Sequence, residues 1–254
     1  MIMHKRVISV SLIILLFLTG VKGVLAQAAY DETDNQFTDI EKIEADIIDA
    51  PITIMEGDVK EITVSNTVKN TGIGFITQPK VSKKGNVLCF DQGYAIGYNT
   101  KSTGSVLIEL PKGISVDIDI KSGSGDVNIS TSKSNNISLD VTVGEKIISS
   151  QGENLFIDSV SGDIDIDGVF VNTEIETVNS DVEMKASAST DKIYYKSISG
   201  NADIYVDEVK GYNLFHKYAG GKTDEYFSVD RFCDKIIDIN GDTVDGSINV
   251  IGNS

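Results

Sequence analysis

The sequence contains no tryptophan, and it has only three prolines, two cysteines and two histidines. Basic residues are also scarce, since 22 lysines and arginines stand against 38 acidic residues, which gives a formal net charge of −16. Beyond residue 28 the single arginine is Arg231, and arginine is the usual residue for binding phosphates and carboxylates. An acidic surface repels nucleic acid and anionic lipid. We therefore expect no nucleic-acid partner and interpret the charge mainly as a source of solubility.

The longest apolar run lies at the N-terminus and has the features of an export signal. His4-Lys5-Arg6 is basic, Val7–Leu18 is apolar apart from two serines, and Ala26-Gln27-Ala28 is a small-x-small cleavage site. The run is shorter than the ~20 residues that a membrane-spanning helix needs. We predict a cleaved signal peptide at 1–28, a flexible lead-in at 29–40, and no transmembrane segment afterwards. Cleavage removes three cations and no acid, so the net charge becomes −19, and the protein is secreted or held in the cell envelope, in the periplasm or at the cell surface.

One pattern recurs along the chain: a small polar residue, Val or Ile, Ser or Asn, Gly, Asp, and then alternating apolar and polar residues. Its best copy is Ser159–Asp167, and from Gly162 the next copies follow after 18 residues at Ser180 and after a further 20 at Gly200. A fixed interval of about 20 residues is typical of stacked repeats. The predicted turn residues are Gly125, Asp126, Gly144, Gly162, Asp163, Ser180, Asp181, Gly200, Asn201, Gly241 and Asp242, with a shifted echo of the last copy at Gly246–Val250.

Each copy contains a turn and a strand of period two, so the stacked unit is β rather than helical. We predict an all-β fold, with a single-stranded, β-helix-like β-solenoid at 41–252 and a less regular N-terminal β half. A slip of one residue would turn every inward aliphatic side chain outward, so the register is strongly specified. The predicted inward columns are Val127, Ile129, Leu139, Val141, Val143, Ile164, Ile166, Val182, Met184, Ala202, Ile204, Val206, Ile248 and Val250. The aromatic-rich stretch Asp207–Asp230 is either an insertion or an irregular coil.

The two cysteines, Cys89 and Cys233, both lie in the exported part, where an oxidising compartment permits a disulfide. In a solenoid with about 4.8 Å per coil, five coils would separate them by about 20 Å. A disulfide requires a Cα separation below about 7 Å, so we expect no intramolecular bridge.

An export signal, an irregular β half ending in Leu110-Pro111-Lys112-Gly113, and Ser-Gly-Asp repeats occur together in this chain. This combination resembles the bacterial putative-adhesin family of domains of unknown function, which is akin to the head domains of auto-transporter adhesins. The resemblance covers about residues 41–252. It implies a β-solenoid at the cell envelope, and it supplies no catalytic residues.

Aspartates are the abundant reactive side chains of the repeats. Asp163, Asp165 and Asp167 share one face of a strand, as do Asp117 and Asp119. Such rows could bind Ca²⁺ or act as acid–base pairs on a glycan, but period-two alternation alone also places polar residues there. The Gly-Gly-x-Gly-x-Asp pattern of calcium β-rolls is missing. We therefore favour a solvated outer face and expect no metal and no cofactor.

His216 is the single histidine after the signal peptide, so a Ser-His-Asp or Cys-His site would have to use it. Its position in the irregular aromatic stretch favours a structural role. The aromatic residues between Tyr205 and Tyr226 could stack on sugars, but filling the core is the more ordinary role of such side chains.

Three functions remain open after these considerations. The leading one is a non-enzymatic binding or scaffolding module at the cell envelope, possible partners being a surface glycan or an envelope protein, because stacked coils offer a long surface for an extended partner. The alternatives are a polysaccharide-active β-helix enzyme and a structural or regulatory envelope protein that forms homo-oligomers through its end coils. In the last case Ser247–Ile251 would leave an open edge for pairing.

Overall fold

The computed structural model describes residues 36–75, 79–93, 96–206, 211–219, 223–229 and 236–252. The predicted signal peptide, Arg231 and Cys233 lie outside these residues. Cys89 is a half-buried free thiol. Throughout the described part every regular element is a β-strand, which confirms the all-β prediction, and no helix there has the length and hydropathy needed to cross a membrane.

The strands in chain order are β1 (Gln36–Phe37), β2 (Lys42–Asp49), β3 (Ile52–Gly57), β4 (Ile62–Asn66), β5 (Lys69–Phe75), β6 (Lys80–Lys84), β7 (Val87–Asp91), β8 (Ile96–Thr103), β9 (Val106–Pro111), β10 (Asp117–Ser124), β11 (Val127–Ser130), β12 (Asn136–Val143), β13 (Lys146–Ser149), β14 (Gln151–Ser161), β15 (Ile164–Ile166), β16 (Val169–Asn179), β17 (Val182–Ala186), β18 (Lys192–Ser199), β19 (Ala202–Val206), β20 (Gly211–Tyr218), β21 (Thr223–Val229), β22 (Ile237–Asp245) and β23 (Ile248–Gly252).

Two large sheets enclose one hydrophobic core. The short-strand sheet has ten strands in the order β1-β4-β9-β3-β11-β13-β15-β17-β19-β23. The long-strand sheet has eleven, in the order β21-β20-β22-β18-β16-β14-β12-β10-β2-β7-β6. A separate antiparallel pair joins β5 and β8.

From β10 to β19 the chain alternates between the two sheets, so each coil gives one strand to each sheet, and neighbouring coils pair in parallel. One inward column of the long-strand sheet shows the register. It runs through Ile118, Ile137, Leu155, Thr173 and Ile193, which are offset by 19, 18, 18 and 20 residues. This arrangement is β-solenoid-like.

Two excursions interrupt the coils. At the N-terminal end β2 pairs directly with β10, although Lys42 and its partner Asp117 are far apart in sequence, and the chain between them caps both sheets through β4, β6, β7 and β9. At the C-terminal end β22 lies between β18 and β20, and β20 and β21 form an antiparallel hairpin outside it. Strands β20 and β21, which belong to the stretch 207–230, therefore form an insertion.

The second excursion corrects one predicted turn. Gly241 and Asp242 lie within β22, opposite Tyr195 and Lys196. A Cβ on Gly241 would approach Ile248 Cδ1 within 1.9 Å, so glycine provides the room for close packing at that point. The turn that lies against Gly200 is instead formed by Gly246, the shifted echo of the pattern.

The buried residues follow the predicted alternation with two exceptions. Val143 is 48% exposed at the end of β12, and Val250 is only half-buried because β23 is the last strand of its sheet. The folded region also starts earlier than predicted. β1 pairs with β4 and Ile40 is buried in the core, so residues 36–40 do not belong to a flexible lead-in.

The turns between the two sheets stack on one another. Gly144 and Gly162 have φ angles of 140° and 100°, a region that favours glycine. A Cβ on Gly162 would lie 2.2 Å from the carbonyl oxygen of Gly144. Glycine is therefore required both by the backbone conformation and by the close approach of the adjacent coil.

Candidate functional site

The outward face of the long-strand sheet carries a line of exposed aliphatic side chains, one from each of four neighbouring strands. This aliphatic row consists of Val160, Val178, Ile198 and Val244, which are 44%, 40%, 52% and 57% exposed. The strands β14, β16, β18 and β22 that carry them are consecutive in the sheet. At about 4.8 Å per strand the row spans about 14 Å. Scattered exposed aliphatic residues are ordinary, but an aligned set is a candidate contact surface.

The local sequence forces these side chains outward. On β14, Ile157 and Ser159 are buried, and because adjacent residues of a strand point to opposite faces, Val160 must point to solvent. The buried hydroxyl replaces an aliphatic side chain just before the turn. In the equivalent place Ser197 Oγ donates a hydrogen bond to the carbonyl oxygen of Ser199 at 2.9 Å, which satisfies a polar group of the turn.

A charged row runs beside the aliphatic row, two positions earlier on the same strands. It consists of Asp158, Glu176, Lys196 and Asp242. Lys196 Nζ donates to Glu176 Oε2 at 2.7 Å, and this hydrogen bond raises the pKa of Lys196. The remaining carboxylates give the row an acidic character.

A groove of about 310 Å³ crosses all four strands and is lined by the charged row and by Val178, Ile198 and Val244 of the aliphatic row. We call it the coil groove. Its aliphatic side can exclude water from an apolar surface, and its charged side can accept and donate hydrogen bonds. Since the groove crosses the strands, β16, β18 and β22 each present one aliphatic and one charged side chain to whatever lies in it, and β14 adds Asp158. The arrangement suits an extended ligand rather than a compact one.

Apart from Gly241 and Asp242, which lie in β22, the predicted turn residues lie at the stacked turns rather than at the groove. Asp126 Oδ1 accepts the backbone N–H of Glu145 at 2.9 Å, and Asp181 Oδ1 accepts that of Asn201 at 2.8 Å. Asn201 Oδ1 in turn accepts the N–H of Ser247 at 3.1 Å. In these three places the acidic or amide residue of the pattern ties its turn to the turn of the adjacent coil. This is a structural role, and it accounts for the Gly-Asp pair in the sequence pattern.

The aspartate rows considered for calcium do not converge. Asp163, Asp165 and Asp167 are all exposed, and Asp167 is paired with Lys185. Asp119 lies 3.2 Å from Lys42 Nζ. Among the residues that the structure describes, no three His, Cys, Asp or Glu side chains are grouped as metal ligands. The described rows therefore offer solvated or ion-paired carboxylates.

One buried lysine has a contact of the kind found in serine–lysine catalysis. Lys146 is fully buried, and its Nζ donates to Ser159 Oγ at 2.5 Å and to the carbonyl oxygen of Ser161 at 3.0 Å. Burial lowers the pKa of Lys146 to about 8, against the opposing effect of Asp163 and Asp126. A nucleophile must meet its substrate, however, and Ser159 is only 2% exposed. The pair is therefore part of the core.

His216 has the structural environment expected of it. The ring is buried, its Nε2 lies 2.8 Å from Thr243 Oγ1, and its centroid lies 4.0 Å from that of Tyr218. The aromatic side chains nearby divide between the two predicted roles: Tyr212 packs against the core, whereas Phe215 is 44% exposed. The side chains of Tyr226 and Phe227 lie outside the description.

Sequence reasoning missed the aliphatic row although the signal was present. Val160, Val178 and Ile198 are the second residue of the pattern. Their outward direction follows only when the alternation of inward and outward residues is counted along the strand from a buried residue that precedes them. For Val160 the reference residue is Ile157, three positions earlier. Lys146 lies two positions before the buried Ile148 on β13, so by the same alternation its side chain points inward.

Comparison with known proteins finds one family model that matches more than half of the chain. The model of the Toastrack DUF4097 family, a domain of unknown function, matches residues 40–212. A crystal structure of a putative adhesin from Bacteroides fragilis has a TM-score of 0.42 at 13% identity, covering 85% of this chain and 94% of that chain. A putative cell adhesion protein from Clostridium sporogenes has a TM-score of 0.28 at 13% identity, with the same coverage of 85% and 94%. No curated protein matches the sequence significantly.

Proposed function

The chain belongs to the Toastrack DUF4097 family, and from this premise we propose that it is an exported, non-enzymatic binding module of the cell envelope whose coil groove holds an extended polymer. The polymer is a surface glycan or a segment of an envelope protein. The observation that carries the proposal is the aliphatic row, in which four neighbouring strands repeat the same exposed side-chain type beside a charged row.

Export is supported by the N-terminal sequence rather than by the fold. The basic segment His4–Arg6, the apolar run and the small-x-small site of residues 26–28 form a complete export signal. Adhesion to a surface is a further part of the proposal, because a repeated groove makes many equivalent contacts with a polymer.

A binding rather than catalytic role is supported by the chemistry of the groove. Glycan hydrolysis needs two carboxyl groups set across one bond, with one of them kept protonated by its surroundings. In the coil groove Asp158 is exposed to water, and the half-buried Glu176 is paired with Lys196. Ser159 is among the residues that line the coil groove, but it is only 2% exposed and Lys146 is fully buried, which supports a structural role for their contact.

The size of the aliphatic row indicates weak binding at each groove. Covering the exposed half of one Val or Ile contributes about 1 kcal/mol. Four such side chains contribute about 4 kcal/mol, which corresponds to a dissociation constant in the millimolar range. Hydrogen bonds from the charged row and repeated engagement by several molecules would tighten the contact.

The test is a screen of surface glycans and envelope polymers against the protein without residues 1–28, run with calcium and with a chelator. For each polymer that binds, the affinity is then measured for the variant Ile198→Asp, which places a charge in the aliphatic row, and for Ile147→Asp as the matched control. Ile147 is 41% exposed on the outward face of the other sheet. We expect Ile198→Asp to abolish binding and Ile147→Asp to retain it.

Two results would overturn the proposal. Equal loss of binding in both variants would place the contact elsewhere. Release of shortened products from the polymer by the purified protein would show an enzyme instead, and chromatography of the polymer after incubation detects this.

A further inference from the structure

The two sheets end in four outer strands, and these differ in how they are protected against pairing with another chain. The short-strand sheet ends in β1 and β23, and the long-strand sheet ends in β6 and β21. β1 has only two residues. β6 carries exposed Lys80, Lys83 and Lys84, and lysines on an outer strand are a common device against edge-to-edge association.

β23 has none of these protections. Its sequence, Ile248 to Gly252, contains no charged residue and no proline. It pairs with β19 in an unbroken parallel register, without a bulge. In a protein with a net charge of −16, a neutral aliphatic strand is a surface that a second copy can approach without strong repulsion.

The backbone direction of β23 shows which groups face outward. The carbonyl oxygen of Ser247 accepts the N–H of Ala202, so the backbone C=O of Ser247 points toward β19. Along a strand the N–H and C=O groups of successive residues point to alternate sides. Ile248, Val250 and Gly252 therefore direct their backbone groups away from β19, and within the described residues β23 has no neighbouring strand on that side.

The C-terminal end of the molecule also forms a step. β22 and β23 are the two strands of the last coil, but the long-strand sheet continues past β22 through β20 and β21, whereas the short-strand sheet stops at β23. A second copy rotated by a two-fold axis parallel to the strands places its own overhanging strands above the first copy's β23. The overhanging strands of each copy then occupy the step of the other, and neither β23 has an unpaired edge left for a third copy.

We propose that this protein forms a closed two-fold dimer through its C-terminal step, in which β23 of each copy pairs with the overhanging β21 of the other. Backbone hydrogen bonds from Val250 and its alternate neighbours provide the contact, as in other cases of strand addition. The half-buried Val250 gains cover in the dimer. The dimer brings two coil grooves into one particle, but its formation does not depend on what the grooves bind.

The experiment compares the protein without residues 1–28 with two variants at one position. Val250→Pro removes the outward N–H and shortens the side chain. Val250→Ala shortens the side chain and keeps the N–H. Sedimentation equilibrium over a range of micromolar concentrations gives the dimer dissociation constant. Because one hydrogen bond is lost in each copy, we expect Val250→Pro to weaken the dimer by about 30-fold, and Val250→Ala to weaken it much less.

Each other outcome would count against the dimer. A wild-type protein that is monomeric at high concentration overturns it, and so do equal effects of the two variants. Growth of open-ended assemblies would exclude a closed pair. Circular dichroism and urea unfolding of Val250→Pro establish that the variant is folded. Lys84→Ser on β6 serves as a second control, because it alters the opposite end of the long-strand sheet and should leave the dissociation constant unchanged.

Discussion

Lys146 occupies a position that is aliphatic or small in every adjacent coil. Its partners across the short-strand sheet are Val127 and Ile164. The strand that precedes Lys146, β12, explains why a lysine occupies this position. Where other coils place a buried hydroxyl before the turn, this coil has Val141, which has no polar group, and the lysine ammonium reaches the hydroxyl and carbonyl groups of the next coil instead. A buried ammonium remains costly even with such partners.

The depressed pKa of Lys146 predicts how stability depends on pH. In the folded protein the pKa is about 8, below the ordinary value of 10.5. Between these values the unfolded chain binds more protons, so the free energy of unfolding rises with pH. The full shift corresponds to about 3 kcal/mol. Urea unfolding between pH 7 and pH 9.5 should show this rise, and a flat or falling profile would contradict it.

A substitution at the same residue provides an independent prediction. Lys146→Met replaces a buried charge by an apolar side chain of similar length, and Ser159 can then bond the Ser161 carbonyl as Ser197 bonds Ser199. We expect the variant to be more stable at pH 7 by about 1–3 kcal/mol and to lose the rise with pH. Lys121→Met, at an exposed position, is the control and should change stability little.

At the scale of elements, the turns are where the sequence pattern is most informative. The pattern places Gly125, Gly144, Gly162 and Gly200 between the two sheets, and all four have a positive φ. It fails at Gly241 because the same letters, Asn-Gly-Asp, also occur inside β22. A pattern of small and acidic residues cannot distinguish a turn from a strand in which glycine makes room for Ile248.

A glycine at a stacked turn should be much harder to replace than one at an open turn. Gly162→Ala combines a φ of 100° with a Cβ 2.2 Å from a carbonyl oxygen, so we expect a loss of about 2–4 kcal/mol. Gly85→Ala, with a φ of 62° and nothing within 4 Å, should lose only about 1 kcal/mol. Thermal unfolding of both variants measures the difference, and similar losses would mean that neighbouring coils do not constrain the turn.

At the scale of the whole molecule, the register of the coils could be predicted from the sequence, whereas the two excursions could not. The resemblance to a bacterial family of domains of unknown function is confirmed by the family match. The inward columns could be counted because alternation is a local property. The position of β22 between β18 and β20 could not be predicted, because it depends on which strand β22 pairs with after the chain has passed through β20 and β21. The alignment of Val244 with Ile198 in the aliphatic row depends on that pairing, so the complete row could not be recognised from the sequence.

Removal of one coil tests whether the coils are interchangeable units. Deletion of the 18 residues 151–168 joins Ser150 to Val169 and leaves β16 to pair with β12 in the same inward and outward phase. We expect a folded protein whose urea m-value is lower by roughly a tenth, because less surface is buried. Deletion of residues 151–167 removes one residue fewer, shifts β16 by one position against β12 and turns its inward side chains outward, so that variant should not fold. A folded product from both deletions would contradict a phased stack.

The order of strands also determines how the molecule responds to mechanical load. β1 and β23 lie at opposite ends of the short-strand sheet, so a pull on the two ends of the folded region acts across the strands instead of along them. Hydrogen bonds loaded in this direction open one after another, as in a zipper. Each coil of 18 to 20 residues would release about 60 Å of slack. A protein built this way lengthens in small steps under tension and can rewind when the tension falls.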